Sequence, residues 1–177
     1  MRLPGLPARS GGSRTGRTHR VNARRTHCAA LAVAALVAFV PVARAADISI
    51  LGTWRIVEAT PAPWSQPDQR AALAAAGQRA LDAEVTFAKD SVTSKFKPLN
   101  CKRRVAYEAN SVQVDALFDG NLPEPNPGAA AARMGFPKGD VSGVDVTCID
   151  GQFTFHFRDR NTAMTNLDGV IYTLKRL

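Results

Sequence analysis

The chain has little histidine, little cysteine and, over its first third, almost no acid. Its 177 residues hold three histidines and three cysteines. Beyond residue 45 only His156, Cys101 and Cys148 remain. A lone histidine excludes most histidine-rich zinc sites and zincin-type centres, which need two ring nitrogens in one motif. The two cysteines lack the close Cys-x-x-Cys spacing of a metal site. No glycine-rich phosphate loop and no Gly-x-Ser-x-Gly elbow occur, which removes the usual signatures of nucleotide binding and of serine hydrolysis.

Residues 1–45 contain no Asp or Glu but eight of the 23 basic residues, Arg2 to Arg44. The rest of the chain carries 15 basic and 15 acidic side chains, so the net charge of +8 belongs wholly to this leading stretch. Nothing in residues 46–177 marks a nucleic-acid binder. The longest uncharged apolar run, Cys28 to Val42, is about 15 residues, short of the roughly 20 that a spanning helix needs. Arginines precede it and Ala43-Arg44-Ala45 follows it, which is the order of a secretory signal peptide cleaved after Ala45. Cys28 stands before the apolar run, where a lipid anchor cannot use it. The expectation is one exported domain over 46–177, periplasmic or secreted, with no stable membrane insertion after cleavage.

In an oxidising compartment Cys101 and Cys148 read as one disulfide. Short alternating runs separated by turn pairs dominate the domain, the pattern of antiparallel sheet. Turning at Asp150-Gly151 sets Cys148, Val146 and Val144 against Phe153, Phe155 and Phe157 on one face. Turning at Asp168-Gly169 sets Leu167, Thr165 and Ala163 against Val170, Tyr172 and Leu174. Softer turns at Lys89-Asp90 and Ala109-Asn110 would gather Val85, Phe87, Val92 and Phe96, then Cys101, Arg103, Val105 and Tyr107 with Val112 to Phe118. A helix is expected over Pro67–Ala76 and a helical turn at Ala129–Met134. The latter lies inside a 22-residue Pro/Gly-rich connection, residues 119–140.

Gly52-Thr53-Trp54 on the first strand, a Pro-rich loop after it and a last hairpin ending in Lys175-Arg176 resemble the lipocalin-like (calycin) barrels. The layout is also similar to that of small bacterial periplasmic proteins. The resemblance implies that Trp54 lies across one barrel end with Arg176 over its indole, and that Thr60–Gln69, carrying Trp64, is a lid. The middle Thr-Asp-Tyr type motif of the family is absent. The predicted fold is therefore all-β: an antiparallel up-and-down lipocalin-like barrel of eight to nine strands with one or two short helices.

His156 opposite Asp145 resembles half of a Ser-His-Asp arrangement, but the register places both on the face away from the phenylalanines. An outward cross-strand ion pair is the expectation. Asp159-Arg160-Asn161 reads as a turn, not a calcium loop. No catalytic residue, metal or cofactor is expected. Arg103, Tyr107 and Tyr172 are expected to point inward, beneath Trp64. They suggest an exported non-enzymatic binding protein holding a small apolar or anionic ligand at the barrel mouth. The alternative is a barrel filled by its phenylalanines that binds an envelope protein, as a hydrolase inhibitor does, through loops 60–69 and 119–140.

Overall fold

The computed structural model describes residues 48–149 and 151–177; the expected signal peptide lies outside them. Eight antiparallel strands form one curled, barrel-like sheet. They are β1 (Gly52–Pro61), β2 (Glu84–Phe87), β3 (Val92–Ser94), β4 (Ala106–Gln113), β5 (Asp140–Cys148), β6 (Gly151–Asp159), β7 (Thr162–Leu167) and β8 (Val170–Arg176). The spatial order β3-β2-β1-β8-β7-β6-β5-β4 is an up-and-down meander, with β1 beside β8 and the seam between β3 and β4. Two short helices interrupt it, α1 (Arg70–Gln78) and α2 (Pro127–Arg133). No helix of the described residues is long and apolar enough to cross a membrane.

The last hairpin has the expected register, Leu167 opposite Val170 and Ala163 opposite Leu174. Its turn residues Asp168 and Gly169 both have positive φ, 50° and 79°, a conformation open to Asp and Gly at small cost. The hairpin of β2 and β3 also has the expected register, with Phe87 opposite Val92. Two other expectations are corrected. Gly151 belongs to β6 and pairs with Cys148, so Val146 faces Phe153 and Val144 faces Phe155, a slip of two residues. A slip of two keeps every side chain on its face, so the phenylalanines still point inward. At Ala109-Asn110 there is no turn. Strand β4 runs straight through both residues, because β5 offers it an uninterrupted ladder from Ala106–Thr147 to Gln113–Asp140. The helix expected over Pro67–Ala76 begins instead at Arg70.

The inward face is packed. Trp54, Phe87, Phe155, Phe157, Tyr172 and Leu174 are all buried in one cluster. Phe87 meets Phe155 edge-on at 5.1 Å, and Trp54 meets Phe157 at 6.1 Å. Both ends are occupied as well. At one, Ile50 is buried and its carbonyl accepts the Trp54 indole N–H at 2.7 Å. At the other, α1 presses Gly77 onto Ala59 and Val170, where even an added Cβ would stand 2.9 Å from the Ala59 methyl.

The seam is closed by cross-links. Cys101 pairs with Val92 through two backbone hydrogen bonds of 2.7 and 2.9 Å, and a disulfide joins it to Cys148 at the end of β5. The Tyr107 hydroxyl donates to the Ala88 carbonyl at 2.6 Å, tying β4 to the turn between β2 and β3.

A second core lies on the outer face of the sheet. Between β4 and β5 the chain makes a 3-10 stretch, Val114–Gly120, that is kinked through non-helical Leu117, Phe118 and Asp119, then α2, and lays Leu117, Phe118, Leu122, Ala131 and Phe136 over Val141, Met164 and Ile171. Residues 119–140 are thus a side wall on the barrel, not a plug in its end.

Candidate functional site

The four residues expected at the mouth do not meet. Tyr172 packs against Phe96 at 5.3 Å, near α1. Tyr107 sits toward the opposite end, since its partner Ala88 follows Phe87, which pairs with Gly52, whereas Tyr172 pairs with Ala59. Trp64 packs on Phe118 in the outer core at 5.7 Å. Arg103 is exposed, because the inward register assigned to it depended on the hairpin that is not formed. Trp54 and Arg176 do meet: the guanidinium carbon lies 4.3 Å from the indole centroid, a cation–π distance. The same guanidinium donates to the carbonyls of Ser49 and Leu51, fastening the segment that carries Ile50.

The arrangement with unfinished chemistry is on the outer face, around His156. This side chain is opposite Gly143, not Asp145, and only 3% exposed. The expected ion pair is therefore absent. Asp145 instead accepts from the Thr154 hydroxyl at 2.6 Å and from the Asn110 amide at 2.7 Å. The His156 ring stands edge-on to Phe118, 5.0 Å between centroids, and its Nε2 accepts the Phe118 backbone N–H at 3.3 Å. A ring nitrogen that accepts carries no proton, so the neutral imidazole holds its proton on Nδ1. That atom is buried and has no partner among the described residues. Burial holds the His156 pKa below the ordinary value, against the opposing pull of Asp119 and Asp145.

Beside His156 the sheet parts. Strands β6 and β7 are paired only from His156–Met164 to Asp159–Thr162. Residues 151–155 of β6 bond to β5 alone, and 165–167 of β7 to β8 alone. The opening is a cleft of about 380 Å³, lined by Asp119, Gln152, Thr154, His156 and Asn166 beneath Phe118. The Asn166 Oδ1 is buried without a partner. Buried polar atoms are normally paired, so two orphans on one opening, His156 Nδ1 and Asn166 Oδ1, need a reason. Over the cleft, Phe118 and Asp119 both have positive φ, 53° and 61°. For a phenylalanine that conformation is costly, and here it turns the chain so that the Phe118 N–H reaches His156.

The chemistry on offer is hydrogen bonding: one imidazole N–H, one carboxamide, one carboxylate and a glutamine. The one hydroxyl among the described residues lining the cleft, that of Thr154, donates to Asp145. Sequence reasoning singled out His156 but not Asn166 or Asp119. No family model, no curated protein and no solved structure matches this chain.

Proposed function

We propose that the chain is an exported, non-enzymatic binding protein that takes a small polar ligand in the cleft between β6 and β7. The observation that carries this reading is the pair of unpartnered buried atoms, His156 Nδ1 and Asn166 Oδ1, on residues lining one cavity. One ligand bearing an acceptor and a donor would pair both, relieving a penalty of about 1–3 kcal/mol for each atom. Inside the barrel the interior is packed, and the space left beneath α1 is a smaller, mainly apolar cavity of about 240 Å³ beside Phe96 and Tyr172. The disulfide supports export to the periplasm or the medium. Kinship with the lipocalin-like barrels is supported by Arg176 on Trp54 and by the eight-stranded meander.

The test is native mass spectrometry of protein purified from its own envelope, read against the denatured mass. A small mass lost on denaturation, and missing from Asn166→Leu, supports the reading. The same adduct on both proteins, or none on either, overturns it.

A second reading has one observation in its favour. Beside α2, Val114, Ala129, Ala132 and Phe136 line an apolar hollow of about 370 Å³ on the side wall, where a protein partner of a filled barrel would engage loop 119–140. Native spectra showing a bound protein in place of a small mass would favour it.

A further inference from the structure

We infer that a second site, for an oxyanion, lies between Arg158 and Arg133. Arg158 follows His156 by two positions on the outer side of β6, and Arg133 ends α2. Both line a cavity of about 310 Å³ whose other walls include Glu58, Pro61, Met134 and Met164. Neither arginine has an ion-pair partner: among the described residues the one salt bridge is Arg55–Glu84. Arg158 is half-buried, and its Nε is buried with no hydrogen-bond partner.

The position of this guanidinium is built, not incidental. It lies against Gly135, where an added Cβ would stand 2.3 Å from Nη2 and 2.7 Å from Nε. Gly135, at φ +83°, is therefore both the turn that ends α2 and the space into which Arg158 fits. Glu58 is the one carboxylate on the cavity. It accepts the Thr173 hydroxyl at 3.2 Å and stays beyond ion-pair distance of both arginines. Two cations against one anion leave a net positive lining. A guanidinium with free N–H groups matches the paired oxygens of a carboxylate or a phosphate, which it can hold with two parallel hydrogen bonds. The ligand class is thus a small carboxylate or a phosphate monoanion, with Glu58 opposing a higher charge. This site shares no lining residue with the cleft at Asn166, so either can fail without the other.

The experiment follows the Arg158 Nε–Hε signal of the purified protein by NMR. Inorganic phosphate and acetate are added in separate titrations, at constant ionic strength against chloride. A saturating shift is expected with at least one of the two, and the anion that saturates identifies the class. Arg133→Gln, an exposed change, should weaken the midpoint about tenfold, the loss of one charged contact. Arg55→Gln should leave it unchanged. Gly135→Ala should abolish the response while far-ultraviolet circular dichroism stays native. A shift that never saturates, one that chloride reproduces, or a midpoint indifferent to Arg133→Gln overturns the inference.

Discussion

The His156 ring meets Phe118 twice: edge-on, 5.0 Å between centroids, and through Nε2, which accepts the Phe118 backbone N–H at 3.3 Å. The contact pins the side wall to the sheet and makes stability depend on the charge of one ring. Burial keeps the folded-state pKa of His156 below its ordinary value. The unfolded chain takes up its proton at about pH 6.5, and the folded chain only at lower pH. This contribution is therefore complete above about pH 6.5 and is lost as pH falls toward the folded-state value. Urea unfolding at pH 8, 6.5 and 5 should give a decline of at most about 1.4 kcal/mol per pH unit from this group. His156→Gln should flatten that part of the profile; equal slopes in both proteins would contradict the assignment.

Reduction of Cys101–Cys148 should loosen the seam before the rest of the barrel. The bridge closes 47 residues, which corresponds to about 4 kcal/mol on the chain-entropy account. Hydrogen exchange at the Val92 and Cys101 amides, which pair across the seam, should accelerate most in Cys148→Ser. Unchanged protection at those two amides would contradict the role given to the bridge.

Residues with strong local chemistry were legible from sequence. Asp168-Gly169 marked its turn because few residues accept two successive positive φ values. Inward Cys148 and the phenylalanines survived a two-residue slip because faces repeat every two residues. Cys101 is buried as well, but through its bridge to Val92 and not through the hairpin that suggested it. The Ala109-Asn110 turn was misplaced because a turn propensity is weaker than an eight-pair ladder with β5, and Asn110 spends its amide on Asp145. The side wall was invisible because residues 119–140 read only as proline and glycine. The signal lay elsewhere: Val141, Met164 and Ile171 are apolar at positions facing away from the barrel, and strands apolar on both faces are covered on both. Asn166 and Asp119 carry no motif. Only the parting of β6 from β7 brings them to His156.

Arg176→Ala should destabilise the barrel end by about 1–3 kcal/mol, the range for hydrogen bonds to a charged group together with a cation–π contact. It removes the cation over Trp54 and the two bonds to the Ser49 and Leu51 carbonyls. Arg176→Lys should restore only part, since an ammonium has no planar fork. Chemical denaturation followed by tryptophan fluorescence measures both. Equal stability of Arg176→Ala and wild type would remove Arg176 from the account.

Gly143→Ala tests how tightly the outer face is built under the side wall. Gly143 is opposite His156, and an added Cβ would stand 2.3 Å from the Asn110 Oδ1 and 3.0 Å from the Phe155 carbonyl. Overpacking of this kind costs about 1–3 kcal/mol, and displacing Asn110 removes its bond to Asp145. Thermal unfolding should show a clear loss; an unchanged melting temperature would mean that Asn110 moves freely.

The cleft itself is tested most directly by crystals of the protein soaked with a set of small neutral and zwitterionic polar molecules, such as polyols, amides and amino acids. The account predicts density between β6 and β7, with one group accepting from His156 Nδ1 and another donating to Asn166 Oδ1. An empty cleft, with guests seated instead inside the barrel beside Tyr172 beneath α1, would contradict it.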